Sequence, residues 1–188
     1  MPLPLNDSKK RPKSDALQEN LAKLRNLSSM YEIAQVWHFT RRRLEQALEG
    51  LDEAKLNFRL MPHLHTIAEY LYHVAGVEFY WVHHLGGYTP QNEFEACLLR
   101  CATDSFLNTA PFPFPQSACS CEGTRQALQF TFERFRPLIE NPSAELLAKP
   151  VVSPIGDPID GREALIRTAQ HASYHTGQIW LIRLSQGW

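Results

Sequence analysis

The sequence contains no apolar run that approaches the roughly 20 residues of a membrane-spanning helix. It also lacks an excess of one charge sign, because 19 Lys and Arg residues balance 20 Asp and Glu residues. We therefore expect neither a membrane nor a nucleic acid as a partner. The first residues lack the apolar segment of a secretion signal, which favours a cytoplasmic location.

Cysteine is scarce, and its four residues lie close together as Cys97, Cys101, Cys119 and Cys121. In an intracellular chain such residues are more often thiols or metal ligands than disulfides. Three residues separate the first pair and one separates the second, which is unlike the spacing of most structural zinc sites. We expect free thiols and regard a four-cysteine zinc site as the less favoured alternative.

Prolines interrupt the segment 88–122, which carries these cysteines, and we predict a short helix there over residues 92–101. A long irregular segment in a compact domain often covers a site. Phe106, Phe112 and Phe114 would let this segment pack as a lid. The alternative is an ordered excursion over the surface.

Apolar residues recur at helical spacing in four segments, at about 21–49, 66–85, 123–141 and 162–185. Capping boxes are expected where the second and fourth segments begin, at Thr66 with Glu69 and at Asp160 with Glu163. The third segment either kinks or ends early at Pro137. No segment shows a convincing strand pattern, so the sequence predicts an all-α four-helix bundle.

The four helices are expected to form one domain over residues 21–188, because the chain is of single-domain length. Residues 1–20 contain several prolines and a basic run, and we interpret them as a flexible, solvated extension. Residues 150–161 combine prolines with glycines, which predicts a loop.

His171 and His175 lie four residues apart on a mostly apolar face of the fourth predicted helix, a spacing at which two imidazoles can bind one cation. They could instead be satisfied core residues, cap carbonyl groups or bond a neighbouring helix. His73, in the middle of the second predicted helix, is the best candidate for a third ligand. Metal sites of bundles are built from side chains on facing helices.

Four further residues are candidates to hold the second ring nitrogen of a ligand histidine: Glu69, Glu78, Tyr174 and Gln178. Glu69 could serve the capping box alone, and Gln178 could contact substrate or only pack. Glu78 lies on an apolar seam, where it either supports a histidine or reaches solvent. The residues 41–43 are all arginine, and a solvated face is favoured over an anion-binding patch.

Two motifs together resemble the DinB-like (YfiT-like) family of metal-dependent enzymes. They are residues 66–73 (TIAEYLYH) and residues 171–178 (HASYHTGQ), and the connection 51–59 (LDEAKLNFR) is also similar to that family's linker. The resemblance covers about residues 21–184. It implies an up-down-down-up bundle, often a homodimer, with a metal held by three histidines that correspond to His73, His171 and His175.

Three neutral imidazoles leave a transition-metal ion with open positions for water or substrate. The resemblance also implies thiol chemistry, because the family includes transferases and isomerases that use low-molecular-weight thiols. We favour a metal-dependent transferase or hydrolase acting on a small molecule, with such a thiol as a candidate cosubstrate. Zinc or nickel is the favoured metal, and iron or manganese also suits three histidines.

The alternative function is a non-catalytic, stress-associated bundle in which the metal only joins the second and fourth helices. That version requires a fourth protein ligand, and His38 or Glu78 would be the candidates. It also predicts that no cavity opens beside the histidines.

Overall fold

The computed structural model describes residues 12–104 and 111–188, and for most residues before Ser29 it describes the backbone alone. These residues are mostly helical, which confirms the predicted all-α class. Their elements are α1 (Pro12–Leu48), α2 (Glu53–Leu56), α3 (Ile67–His84), α4 (Glu93–Thr103), a 3-10 turn (Gln116–Ala118), α5 (Cys121–Glu140), α6 (Ala144–Ala148), β1 (Pro150–Val152), β2 (Pro158–Asp160) and α7 (Gly161–Gln186). None of the helices in these ranges is long and apolar enough to cross a bilayer.

The order of the contacts gives the directions of the four long helices. Contacts advance the same way along α3 and α5 and along α1 and α7, so these pairs are parallel. They advance in opposite ways along α1 and α5 and along α3 and α7, so these pairs are antiparallel. For α3 and α5 the contacts are Tyr72 with Ala118, just before α5, and Glu78 with Thr131; for α1 and α7 they are Thr40 with Ala169 and Ala47 with Arg183. For α1 and α5 they are His38 with Glu140 and Arg41 with Leu128; for α3 and α7 they are Tyr70 with His175 and Leu85, at the end of α3, with Gly161. This is the predicted up-down-down-up bundle.

Side-chain caps set the starts of the two helices that carry the candidate histidines. At α3 the Thr66 hydroxyl accepts a hydrogen bond from the Glu69 N–H at 3.2 Å, and the Glu69 carboxylate accepts one from the Thr66 N–H at 2.9 Å. This is the predicted capping box. At α7, Asp160 accepts from the Glu163 N–H at 2.8 Å, but the Glu163 carboxylate pairs with Arg167. The cap at α7 is therefore formed by the aspartate.

A buried ion pair crosses the core, and it corrects the interpretations of two residues. Glu78 is 1% exposed and accepts hydrogen bonds from Trp37 Nε1 at 2.9 Å and Thr131 Oγ1 at 2.8 Å. Arg41 Nη1 lies 3.4 Å from the same carboxylate, with 5% of its side chain exposed. Glu78 thus neither reaches solvent nor bonds a candidate histidine. Arg41 is a core residue, whereas its two neighbours are exposed as expected.

Two boundaries differ from the sequence predictions. Helix α1 begins at Pro12 instead of near residue 21, which is compatible with proline because the first position of a helix needs no amide donor. Residues 1–11 of the predicted extension lie outside the described residues. The predicted loop at 150–161 contains the antiparallel hairpin of β1 and β2, in which Val151 pairs with Ile159. Its strands of three residues are too short to show an alternating pattern.

The segment between α3 and α5 is more regular than its prolines suggested. The predicted short helix is confirmed as α4, capped by Asn92. The Phe114 ring stacks on Tyr72 with centroids 4.2 Å apart, and Phe112 packs beside the same tyrosine, while Phe106 lies outside the described residues. No disulfide joins the four cysteines, as expected. α5 continues through Pro137 instead of ending there.

Candidate metal centre

Three histidine rings from two antiparallel helices converge on one point. His73 projects from α3, and His171 and His175 project from successive turns of α7. His171 Nε2 lies 3.2 Å from His73 Nε2 and 3.0 Å from His175 Nε2. All three nitrogens fall within 4.8 Å of one another. The facing helices therefore bring together the three residues that the sequence analysis singled out.

Hydrogen bonds on the far side of two rings determine which nitrogen faces the cluster. His73 Nδ1 lies 2.8 Å from the carbonyl oxygen of Cys101, and a carbonyl can only accept, so Nδ1 carries the proton. His175 Nδ1 likewise donates to Gln178 Oε1 at 2.6 Å. The Nε2 atoms of both rings are therefore bare lone pairs that point toward the third histidine.

Burial keeps these rings neutral. Desolvation lowers the pKa of His73 to about 4 although the Cys101 carbonyl acts in the opposite direction. Desolvation and the neighbouring rings lower the pKa of His175 to about 3 and that of His171 well below its usual range. At neutral pH all three are in the unprotonated form that binds metal.

When all three rings are neutral, at least one of their ring nitrogens has no hydrogen-bond donor to pair with. If His171 Nε2 carries a proton, it can donate to only one of the two bare nitrogens, so at least one lone pair remains unsatisfied. A cation satisfies all three. Tetrahedral ligands about 2.0–2.1 Å from a shared zinc ion lie about 3.3–3.4 Å from each other. The two observed separations, 3.2 and 3.0 Å, are close to that range. The residues present therefore fit a transition-metal ion.

A cavity of about 370 Å³ opens beside the three histidines, within the size range of small-molecule sites. Its walls come from α3 and α7, and its rim comes from the loop before α3 and from the turn between β1 and β2. The lining residues are His63, Leu64, His65, Tyr70, His73, Val77, Trp81, Ala102, Ser153, Pro154, Ile155, Arg167, Thr168, Gln170, His171, Tyr174, His175 and Gln178.

The four candidate supporting residues have different positions. Gln178 orients His175, as described above. Tyr174 is 58% exposed and contacts the His175 ring edge-on, with centroids 5.1 Å apart. The Glu69 carboxylate bonds His65 and Arg59 rather than a ring of the cluster, and Glu78 lies in the buried ion pair of the core.

Sequence reasoning missed several parts of the site. The Cys101 carbonyl is a backbone group, so no residue type could reveal its role, although α4 itself was predicted. His65 lies in the loop before α3, yet it is buried and lines the cavity. The sequence feature that could have identified His65 is its position directly before Thr66, the residue that caps α3. The turn at residues 153–155 gave no signal beyond its proline.

The fold is a helical bundle, and its three-histidine cluster could bind a metal ion. The family model of the DinB superfamily matches residues 37–179, which is well over half of the chain. The chain belongs to the DinB superfamily, whose members are generally metal-dependent enzymes. The matched range includes all three histidines. No curated protein matches the chain.

Proposed function

We propose that this protein is an enzyme in which His73, His171 and His175 hold one divalent transition-metal ion while a small molecule reacts in the adjoining cavity. The observation that carries the proposal is the convergence of three Nε2 atoms at the wall of an open cavity. Within the described residues, no other histidine, cysteine, aspartate or glutamate joins this group. Three ligands with room beside them are typical of catalytic metal sites.

The alternative, a non-catalytic stress-associated bundle, has less support because its expected fourth ligands are occupied elsewhere. His38 Nε2 lies 2.8 Å from Glu140, on the side of α1 that faces α5. Glu78 is bonded to Trp37 and Thr131. A metal that only joined α3 and α7 would also need no cavity, and one is present.

Zinc or nickel is the metal we favour, and iron or manganese also suits a set of three imidazoles. When bound, the ion supplies Lewis acidity, which polarises a substrate group or lowers the pKa of a water or thiol that it holds. The reaction we infer is a transfer or a hydrolysis, with a low-molecular-weight thiol as a candidate cosubstrate.

The residues around the cluster have separable roles in this proposal. The Cys101 carbonyl and Gln178 fix two ligand rings in the orientation that leaves Nε2 free. Val77, Trp81 and Ile155 form apolar wall, which limits water around a bound substrate. The site's chemistry would thus depend on rigid helices and its selectivity on the rim.

The proposal includes a homodimer, and the outward faces of α1 and α7 support it. These parallel neighbours expose large apolar side chains, of which Val36, Phe39, Leu181 and Leu184 are 50–71% exposed. Exposed apolar residues on adjoining helices are typical of protein interfaces. Nucleic acids and membranes are not among the partners we propose, and the cytoplasmic location stays a prediction.

Elemental analysis of untagged protein tests the proposal. We expect close to one transition-metal ion per chain, and loss of that metal in His73→Ala and in the double variant His171→Ala/His175→Ala. His84→Ala is the matched control, because His84 is an exposed histidine that does not line the cavity. Circular dichroism checks each fold. A parent that binds no metal even after reconstitution, or folded variants that retain it, would contradict the proposal.

A further inference from the structure

A fourth histidine lines the cavity without belonging to the metal cluster. His65 lies in the loop that leads into α3, and 7% of its side chain is exposed. Its ring packs edge-on against Tyr70, with centroids 5.5 Å apart, and Tyr70 in turn packs on His175 at 5.3 Å. His65 and the three histidines of the cluster line the same cavity.

The two nitrogens of the His65 ring have different surroundings. Nδ1 lies 3.2 Å from Glu69 Oε2. Although burial opposes it, hydrogen bonds from His65, Arg59 and the Thr66 N–H lower the pKa of Glu69 to about 2, so this carboxylate is ionised and can only accept. Nδ1 therefore carries a proton whether the ring is neutral or charged. In the neutral ring, Nε2 is therefore the nitrogen that holds the lone pair.

Glu69 is itself held in place from three sides. Arg59 Nη2 donates to Oε1 at 2.6 Å, and the Thr66 N–H donates to Oε2. Arg59 also donates to the Leu64 carbonyl, which ties it to the loop that carries His65. A carboxylate fixed behind an imidazole orients the ring and stabilises its positive charge, as in the dyads of acid–base catalysts.

The Nε2 atom of His65 is buried and has no hydrogen-bond partner. No other histidine of the described residues has a ring nitrogen that is buried and without a hydrogen-bond partner. Buried polar atoms are normally paired, so such an atom calls for a functional account. A histidine that served only to pack the loop would not need a charged carboxylate behind one nitrogen and a free lone pair on the other.

We propose that His65 Nε2 is the proton acceptor of this site, for a nucleophile with an S–H or O–H group bound beside the three histidines. This inference rests on the function proposed above. The S–H or O–H bond breaks, its electron pair stays on the sulfur or oxygen, and the proton forms a new N–H bond at Nε2. The resulting imidazolium is stabilised by Glu69. The same proton is then available to the leaving group or the product.

A thiol is the best probe, because thiolate is a preferred ligand of zinc and its lost proton must go either to the protein or to the buffer. We would titrate zinc-loaded protein with 2-mercaptoethanol at pH 7 by calorimetry in two buffers of different ionisation enthalpy, which counts the protons released per thiol bound. In the parent we expect close to zero, because His65 keeps the proton. In His65→Gln we expect close to one.

Two more variants separate proton transfer from structural effects. Glu69→Gln keeps the capping box, since glutamine also serves at this position, but it removes the charge behind the ring, so we expect an intermediate proton count. His84→Gln should behave like the parent. Zinc content should be equal in all variants, because His65 is not a ligand. If His65→Gln fails to fold, nitrogen NMR of the parent's histidine rings replaces it, and His65 Nε2 should become protonated at saturating thiol.

Several outcomes would overturn the proposal while leaving the metal site intact. These are a released proton in the parent, equal counts in the parent and His65→Gln, an unprotonated His65 Nε2 at saturating thiol, or zinc-loaded protein that binds no thiol. Loss of zinc from folded His65→Gln would show a ligand instead of a proton acceptor. A parent that binds no zinc would refute the proposed function itself, and this inference with it.

Discussion

Removing the charge of Glu78 should destabilise the fold strongly, because it leaves Arg41 as a buried cation without a counter-charge. The two side chains are 1% and 5% exposed, and the carboxylate also accepts from Trp37 and Thr131. Breaking one side of a buried pair costs about 3–5 kcal/mol. We expect Glu78→Gln to lower the free energy of unfolding by about that amount, a large share of typical domain stability.

Arg41→Met should cost less, about 2 kcal/mol, because the Glu78 carboxylate keeps two hydrogen-bond donors. The guanidinium also loses its bond to the Leu128 carbonyl. The double variant Arg41→Met/Glu78→Gln leaves no unpaired charge. Its loss of unfolding free energy should therefore be smaller than the sum of the two single losses by about 2–3 kcal/mol. Urea unfolding followed by circular dichroism at pH 7 measures all three.

Arg42→Met is the matched control, since Arg42 is the exposed neighbour of Arg41. Its effect should stay within about 0.5 kcal/mol. Two single losses that add without coupling would contradict a buried charge pair, and so would a Glu78→Gln variant that is no less stable than Arg42→Met. Either result would mean that water or a rearranged side chain compensates the charge of Arg41.

Three further predictions concern the site. A Cβ on Gly76 would lie 2.8 Å from Cys101 Cβ and even closer to the α4 backbone. Gly76→Ala should therefore push the Cys101 carbonyl away from His73 and weaken zinc binding by roughly 10–100-fold in a competition titration. Unchanged zinc affinity would count against the contact between His73 and that carbonyl. In metal-free protein the folded-state pKa values of His73 and His175, about 4 and about 3, lie below the unfolded value near 6.5. Stability is therefore fully present above pH 6.5 and falls as the pH drops, by roughly 3 kcal/mol for each ring at pH 4; urea titrations that show no such loss, or the same loss in His73→Gln/His175→Gln, would disprove it. Gln178→Leu should release His175 Nδ1 and weaken zinc binding in the same competition assay, whereas equal affinity would assign Gln178 to packing.

The three cluster residues could be predicted because helical periodicity is local. The spacing of four positions from His171 to His175 fixes them on one face whatever surrounds the helix. His73 lies at the middle of the most apolar helix, where facing helices meet. The long connection between α3 and α5 also agrees with their parallel direction, because parallel neighbours need a crossover. These features depend on spacing along the chain, which the sequence contains.

The buried ion pair shows where the same reasoning stopped short. Trp37, Arg41 and Leu44 are spaced by four and three residues, so the helical period alone places Arg41 on the buried face of α1. The positive charge of the side chain favours solvent instead, and the sequence analysis therefore placed residues 41–43 on a solvated face. Glu78 was recognised as unusual on its seam, but its partner lies 37 residues away, and no local pattern connects the two.

The rim of the cavity could not be predicted, and it is the part on which substrate choice depends. His65 and the turn at residues 153–155 lie in short irregular segments, whose positions follow from the helices that they connect and not from a period of their own. The ligand set defines what a metal can do to a bound group. A helix-borne cluster can therefore stay constant while the loops before α3 and α7 determine which molecule reaches it and which group takes its proton.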